Sequence, residues 1–167
     1  MKKLFNIVCL FVLLAGCDAN QSNTSSTEPK KSSAKAVKSP NAIIKTVTGE
    51  LIDFSHLKRK WVIVNYWANW CEPCKKEIPE LNKFADEHQS DVYLVGVNYD
   101  GVSNNQLLEL IAQNEIHYFS ALTDPTQQLG LGDIPGLPIT FVFNNKGKLL
   151  KQLTGPQTQA SLEEVIN

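Results

Sequence analysis

The chain has 167 residues, of which 43% are hydrophobic and 20% are charged. A chain of this length and composition can form one soluble domain with an additional segment. Its formal net charge of -1 gives no indication of nucleic-acid binding, so we expect no nucleic-acid partner.

The N-terminal segment has the pattern of an export signal. Lys2 and Lys3 precede an apolar run at residues 4–14 that only Asn6 interrupts. The run is too short to cross a bilayer as part of a folded protein, so it predicts a signal peptide. It ends in LAGC, which resembles the bacterial lipobox and implies cleavage after residue 16 and a lipid, including palmitate, on Cys17. A plain signal peptide with an incidental cysteine is the alternative.

A polar segment follows the lipobox. Residues 18–40 are rich in serine, threonine, lysine and asparagine, so they cannot bury enough apolar surface to order themselves. We predict that residues 17–41 form the lipidated cysteine and a flexible tether. Asp18 resembles the signal that retains lipoproteins in the inner membrane of Gram-negative bacteria. We therefore expect an anchor on the outer face of the cytoplasmic membrane and a domain in the periplasm.

The pattern from residue 42 onward predicts one compact domain, residues 42–167. Its strands alternate with helices and a hairpin closes the chain, which favours an α/β arrangement around a central sheet. Leu107, Leu108 and Ile111 are predicted to face inward from the second helix. The predicted elements, in chain order, are a hairpin of strands at 43–48 and 51–54, a buried strand at 61–67, a helix at 72–88, a strand at 92–97, a helix from its N-cap Ser103 to 114, a strand at 118–122, a helical turn at 125–129, a hairpin of strands at 139–143 and 148–153, and a helix from its N-cap Thr158 to 166.

Four cysteines occur in the chain. Cys9 would leave with the signal peptide, and Cys17 would carry the lipid. Cys71 and Cys74 are then the two free sulfurs, and within one chain they can pair only with each other.

A metal site is one interpretation of this cysteine pair. Structural zinc requires four ligands, whereas His56, His88 and His117 each stand alone in the sequence. A cuprous site built from both cysteines and one histidine remains an alternative, because thiolates suit that ion. We predict neither a metal nor a cofactor. A purely structural disulfide is disfavoured because closing so short a loop removes little chain entropy.

A redox couple accounts better for the residues around the pair. Cys71 lies at a junction between a strand and a helix, where the free N–H groups of the helix start stabilise a thiolate. Pro73 fits the first turn of a helix, which needs no N–H partner there. Cys74 follows about one helical turn later, close enough to attack a mixed disulfide formed on Cys71. We expect Cys71 to be an exposed nucleophile and Cys74 to be a buried resolving thiol.

These residues resemble a known family. WCEPC after a buried strand, with Pro79 five residues beyond the second cysteine, resembles the thioredoxin fold. The lipobox, the tether, NYWANWCEPCKKEIPEL, LVGVNYD, an inserted unit at 103–122 and GLPITFVFNNKGK together resemble the TlpA/ResA-type membrane-anchored thiol–disulfide oxidoreductases. The resemblance implies a thioredoxin-like α/β fold, in which helices flank a central mixed sheet. An N-terminal hairpin and an inserted helix–strand unit would extend that fold.

The resemblance also implies a substrate-binding surface. Pro138 occupies the place of the cis-proline that faces the cysteines, with Pro135 as the competing proline. The backbone of Leu137 would pair with an incoming peptide strand. Ile139 stands where the family often has threonine, which can alter the grip on substrate. We assign three further residues to this surface because they surround the cysteines: Trp70, Glu72 and Pro73.

One carboxylate is expected to handle the proton of the resolving thiol. Thioredoxins have a buried aspartate six residues before the first cysteine, where this chain has Asn65. The resembled reductases instead have a glutamate three residues past the second cysteine, which is Glu77 here. Residues three apart share a helix face, so Glu77 is predicted to lie beside Cys74, with a raised pKa, and to accept its proton. A surface glutamate paired with Lys75 or Lys76 is the alternative.

The acidic residues near the pair predict the direction of electron flow. Glu72 and Glu77 disfavour a thiolate, and Lys75 and Lys76 act in the opposite direction with side chains that can reach water, so we expect a reductase with a potential below about −200 mV. The resemblance implies protein disulfide substrates such as apocytochrome c or copper-site proteins of respiratory oxidases. It also implies a membrane thiol transporter as electron donor, and we expect a monomer. A disulfide oxidase or isomerase, and a copper-binding assembly factor that uses the same cysteines, are the alternatives; a peroxidase is disfavoured.

Overall fold

The structure, a computed structural model, describes residues 41–167. The predicted signal peptide, the lipidated Cys17 and almost all of the predicted tether lie outside these residues. Within residues 41–167, no helix has the length and apolar character that crossing a bilayer requires.

Seven strands and four helices form within the described residues, in the predicted order. The N-terminal hairpin consists of β1 and β2, and the inserted unit consists of α2 and β5. Their bounds are β1 Ile43–Lys45, β2 Leu51–Asp53, β3 Trp61–Trp67, α1 Glu72–Glu87, β4 Val92–Asn98, α2 Asn104–Gln113, β5 Phe119–Ser120, α3 Thr126–Leu129, β6 Ile139–Phe143, β7 Leu149–Thr154 and α4 Gln159–Ile166.

The central sheet has five strands in the order β5-β4-β3-β6-β7. Strands β3, β4 and β5 are parallel, whereas β6 and β7 are antiparallel to their neighbours. The hairpin β1–β2 forms a separate two-stranded sheet, which a bridge between Thr46 and Ala121 joins to the end of β5. The predicted α/β architecture with a central mixed sheet is therefore confirmed.

Strand β3 divides the core into two layers. Successive side chains of a strand point to opposite faces of the sheet, and β3 follows this rule with buried residues on both faces. Val62, Val64 and Tyr66 pack in the layer that contains the β1–β2 hairpin. Ile63 and Trp67 pack in the layer that contains α1, together with both cysteines of the CxxC motif. By the same alternation, Asn65 belongs to the α1 face.

Helix α1 covers the second layer with one apolar stripe. Its buried residues recur at helical spacing and include Cys74, Ile78, Leu81 and Phe84. The helix begins after the N-cap Cys71, has Pro73 in its first turn and ends at the C-cap His88. This stripe fixes which face of the CxxC motif turns toward the sheet.

Two expectations for the inserted unit were wrong in detail. Leu107 is buried, but Leu108 is 51% exposed. Adjacent residues of a helix point about 100° apart, so α2 buries the stripe of Leu107, Leu110 and Ile111 instead, the latter two partly. Strand β5 has only two residues, because the chain then turns toward the β1–β2 hairpin. There the Leu122 N–H donates to the Lys45 carbonyl at 2.8 Å.

Gly96 in β4 generates a stability prediction. A Cβ atom at this position would lie 3.0 Å from Tyr118 Cε2 and 3.3 Å from Trp67 Nε1. Both rings are buried in the α1 layer and cannot move aside easily. We expect Gly96→Ala to lower the free energy of unfolding by about 1–3 kcal/mol, measured by urea denaturation. Gly136→Ala is the matched control, because its Cβ meets no atom within 4 Å; equal losses in both variants would contradict the prediction.

Candidate active site

The two cysteines of the CxxC motif form a disulfide at the start of α1. Their Sγ atoms are 2.02 Å apart and their Cα atoms 5.3 Å apart. Cys71 is the N-cap of α1, and its Sγ accepts a hydrogen bond from the Cys74 backbone N–H at 3.3 Å. A donor aimed at Cys71 Sγ, together with the positive end of the helix dipole, stabilises negative charge on this sulfur. The geometry therefore favours Cys71 as the thiolate of the pair.

The exposure of the two cysteines has the predicted order but not the predicted size. Cys71 is 4% exposed and Cys74 is fully buried. The expectation that Cys71 is exposed was wrong for this disulfide state, because its side chain packs into the apolar layer under α1. A substrate thiol or disulfide can still approach Cys71 more readily than Cys74.

Trp70 forms a fixed surface beside the disulfide. Its side chain is 64% exposed, and its Nε1 donates to Asp100 Oδ1 at 2.8 Å. A groove of ≈ 430 Å³ lies between this indole and α2, lined also by Val102, Gln106 and Leu110. Sequence reasoning included Asp100 only as the last residue of LVGVNYD and missed its contact with Trp70.

The charges at the first turn of α1 differ from expectation. Glu72 is exposed and forms an ion pair with Lys75. The hydrogen bond and the charge of Lys75 hold the pKa of Glu72 below its ordinary value. Glu72 was expected to disfavour a thiolate on Cys71, but this pairing offsets its charge. The alternative in which Lys75 pairs with Glu77 is wrong.

The loop before β6 faces the cysteine layer. Within residues 41–167, the Leu137–Pro138 bond is the one cis peptide bond, so Pro138 rather than Pro135 holds this special position. Leu137 packs against the apolar layer that contains both cysteines. The register of β3 with β6 begins at Tyr66–Ile139, which leaves Leu137 outside the strand pairing.

Glu77 is a buried carboxyl group on the sheet-facing side of α1. It is 2% exposed. Its Oε1 accepts from Asn65 Nδ2 at 2.9 Å, and its Oε2 accepts from the Gln157 backbone N–H at 2.7 Å. Burial raises the pKa of Glu77 to about 7, although both hydrogen bonds act in the opposite direction. The expectation of a buried glutamate with a raised pKa is confirmed by this geometry.

The two hydrogen-bond partners of this carboxyl group come from distant segments, and one of them binds a third residue. Asn65 also donates to Thr140 Oγ1 at 3.1 Å, so β3, β6, α1 and the segment after β7 meet here. Sequence reasoning noted Asn65 only as a replaced aspartate and missed Thr140 and Gln157. A single polar residue in an apolar strand was the available signal for Asn65. Gln157 contributes a backbone N–H, for which the sequence holds no signal.

The histidines have local partners. His56 contacts Asp53, and His88 stacks on Phe84 with ring centroids 4.5 Å apart while contacting Asp91. His117 lies at the exposed start of the β5 segment. Among residues 41–167, no three histidine, cysteine, aspartate or glutamate side chains are grouped as a metal site would require. The copper alternative therefore has no third ligand within this part of the chain.

Comparisons with known proteins identify the family. The model of the AhpC/TSA family matches residues 36–152, which include the CxxC motif and β6. The chain belongs to the AhpC/TSA family. It is 32% identical over 139 residues to the thiol-disulfide oxidoreductase ResA of Bacillus subtilis (strain 168), covering 83% of this chain and 77% of the relative. It is 31% identical over 161 residues to the sporulation thiol-disulfide oxidoreductase A of the same strain, covering 95% and 94%.

Solved structures support the same conclusion. The crystal structure of StoA from Bacillus subtilis aligns with a TM-score of 0.61 and 34% identity, covering 73% of this chain and 92% of that chain. A thiol:disulfide interchange protein of the thioredoxin family from Chlorobium tepidum TLS aligns with a TM-score of 0.66 and 26% identity, covering 80% and 95%. The predicted thioredoxin-like fold is confirmed, and this family member is a thiol–disulfide oxidoreductase.

The buried carboxyl of Glu77 predicts a pH-dependent stability. Its folded pKa of about 7 lies above the ordinary value of 4.5. The stabilisation from this group is therefore full below about pH 4.5 and is lost as the pH rises through 7. We expect the free energy of unfolding to fall by about 3 kcal/mol over this range because of Glu77.

Urea unfolding at pH 5 and pH 8 measures this effect. Glu77→Gln is the matched control, because it has nearly the same shape and no ionisable group. The change in unfolding free energy between the two pH values should be smaller in this variant. The same change in both proteins would show that Glu77 does not titrate in this range.

Proposed function

We propose that this oxidoreductase is an extracytoplasmic reductase of protein disulfides, held at the outer face of the cytoplasmic membrane by a lipid on Cys17. The observation that supports this proposal is the Cys71–Cys74 disulfide at the N-terminus of α1, one helical turn before the buried carboxyl of Glu77. Trp70, Glu72, Pro73, Leu137 and Pro138 form the proposed substrate surface.

The reaction transfers two electrons from the reduced cysteine pair to a substrate disulfide. The Cys71 thiolate attacks one sulfur of the substrate, which forms a mixed disulfide and releases the other substrate sulfur as a thiolate. Cys74 then attacks Cys71 Sγ, which closes the Cys71–Cys74 disulfide and releases the second substrate sulfur. The backbone N–H of Cys74, which points at Cys71 Sγ, stabilises the first thiolate.

Glu77 accepts the proton that Cys74 must lose. A buried thiol is a poor nucleophile until it is deprotonated. Glu77 and Cys74 are three residues apart on one helix, and both are turned toward the sheet. A base whose pKa lies near the working pH takes and returns a proton most efficiently, and the pKa of Glu77 is about 7.

The direction of electron flow follows from the charge near the pair. A strong oxidant has a stabilised thiolate in its reduced form. Here the negative charge of Glu77, buried in the same apolar layer as the cysteines, disfavours that thiolate. Glu72 adds little because Lys75 offsets it. Glu77 is thus the main reason to expect a reductant.

The substrates and the electron donor follow from the proposed location. Exported proteins meet an oxidising environment, so cysteines that bind haem or copper need a reductant before assembly. We propose disulfides in apocytochrome c or in copper-site proteins of respiratory oxidases as substrates. A membrane thiol transporter would restore the dithiol form. Leu137, outside the β6 pairing, offers a free backbone edge to an extended substrate segment.

Trapping of the mixed disulfide tests the proposed function. Cys74→Ala removes the resolving thiol, so we expect this variant to accumulate covalent adducts with its substrates in cell envelopes. These adducts should disappear on reduction and should carry exported proteins that bind haem or copper through cysteines. Cys71→Ala is the control and should form none. Adducts in the Cys71→Ala variant would contradict the assignment of the nucleophile.

The reduction potential tests the direction of electron flow. Equilibration with defined dithiol buffers should give a reversible two-electron step at Cys71–Cys74, with a potential below about −200 mV. Glu77→Gln should raise the potential by roughly 30 mV for each unit by which the thiolate pKa falls. A wild-type potential of about −120 mV would instead indicate an oxidase. Tight cuprous binding without reduction of a model disulfide would favour a copper-binding factor.

A further inference from the structure

The amide of Asn65 is placed to respond to the proton of Glu77. It is fully buried in β3. Its Nδ2 donates both to Glu77 Oε1 at 2.9 Å and to Thr140 Oγ1 at 3.1 Å. Its Oδ1 has no hydrogen-bond partner among the residues that the structure describes. The nitrogen of this amide therefore has two acceptors, whereas its oxygen has no donor among the described residues.

The two oxygens of Glu77 differ in whether their hydrogen-bond partner can accept a proton placed on the oxygen. Oε2 faces the backbone N–H of Gln157 at 2.7 Å, and a backbone amide can only donate. Oε1 faces a side-chain amide, which presents either two donors or one acceptor. A proton on Oε1 would point at the Nδ2 hydrogens of Asn65, which leaves a buried donor without an acceptor.

We propose that the Asn65 side-chain amide turns over when Glu77 gains a proton, so that Oδ1 replaces Nδ2 opposite Glu77 Oε1. In the ionised state, Nδ2 donates to Glu77 Oε1 and to Thr140 Oγ1. In the protonated state, Asn65 Oδ1 accepts from the Glu77 Oε1 hydroxyl and from the Thr140 hydroxyl, and Nδ2 takes the side where Oδ1 has no partner. The turned amide leaves only its Nδ2 hydrogens unpaired, whereas the unturned amide would leave an N–H, the Glu77 O–H and Asn65 Oδ1 unpaired. Thr140 serves both states because a hydroxyl can accept and donate.

Asn65 is thus a positioning residue for the proton-transfer step. This role rests on the proposed function of Glu77 as the base for Cys74. The proton leaves Cys74 Sγ and binds Glu77 Oε1, the S–H bond breaks and the O–H bond forms, and no electron changes centre. An aspartate at position 65 would bring a second ionisable group. The amide of Asn65 does not titrate, and its orientation follows the protonation state of Glu77.

Few other ionisable groups face this carboxyl within residues 41–167. Cys74 lies one turn earlier on α1, and its thiol is the proposed proton donor. Tyr118 is buried in the same layer, and burial and the charge of Glu77 both raise the pKa of its phenol, so it stays neutral. The segment before α4 contributes the Gln157 N–H. The proton on Oε1 is therefore the variable that sets the orientation of the Asn65 amide.

Nuclear magnetic resonance of the full chain in detergent, with the disulfide closed, tests the turnover directly. With ¹⁵N-labelled asparagine and ¹³C-labelled glutamate, we expect contacts between the Asn65 amide protons and the Glu77 methylene protons at pH 9 but not at pH 5. Their loss should share the midpoint of the Glu77 carboxyl, about pH 7. In Glu77→Gln, the amide signals should hold their low-pH positions throughout. Amide contacts unchanged by pH and by Glu77→Gln would overturn the proposal.

Substitutions of Asn65 and of its partner Thr140 test how strongly the amide influences the protonation of Glu77. Asn65→Leu has a similar volume and no donor, so the titration midpoint of the Glu77 carboxyl should rise by about one to two pH units. Thr140→Val should also raise it, by less, because an amide N–H without an acceptor costs more than a carbonyl that keeps one donor. Thr140→Ser should restore the wild-type midpoint.

The outcomes separate this proposal from the proposed function. A purely structural Asn65 would lower stability and leave the Glu77 midpoint in place, which would overturn the inference. If Asn65→Leu does not fold, the comparison of Thr140→Val with Thr140→Ser decides the same question. Full disulfide-reductase activity in Glu77→Gln would instead remove the proposed base, whatever the amide signals of Asn65 show.

Discussion

The buried carboxyl group of Glu77 is the feature on which the proposed chemistry of this protein depends. Removing a carboxylate from water costs several kcal/mol unless hydrogen bonds replace its hydration. Asn65 and Gln157 supply two such bonds, which are enough to retain the group in the core but not to keep its pKa at the ordinary value. The result is a carboxyl group with a pKa near neutral inside an otherwise apolar layer, one helical turn from Cys74, the proposed resolving thiol.

The fold provides this site through three long-range constraints. Pleating of β3 turns Asn65 toward α1, and the antiparallel register of β6 places Thr140 directly opposite Asn65. The chain after β7 then returns to α1, so that Gln157 reaches a residue 80 positions earlier in the sequence. The same sheet positions Leu137, which packs on the cysteine layer. Stability of the sheet and geometry of the site are therefore linked through a few shared residues.

Local sequence patterns predicted most of the fold and part of the site. The apolar runs, the caps Ser103 and Thr158 and the CxxC motif depend on neighbouring residues, and the structure places them as expected. The resemblance drew attention to Glu77, and its spacing to Cys74 predicted that both lie on one helix face. The burial of Cys71 and the Glu72–Lys75 ion pair did not follow, because they depend on how side chains pack and pair after folding. The contact of the Gln157 N–H could not be predicted from the sequence, because every residue except proline has a backbone N–H.

The replacement of aspartate by asparagine at position 65 gains its meaning from this network. Two carboxyl groups in hydrogen-bond contact within a core would share one proton and titrate as a coupled pair, with one pKa far above the other. An amide avoids that coupling while it retains a donor for the ionised state of Glu77. It also offers an acceptor for the protonated state, which a fixed donor such as a backbone N–H does not. The site therefore holds a single exchangeable proton on the helix that carries the thiols, and the strand beneath it only adapts to that proton.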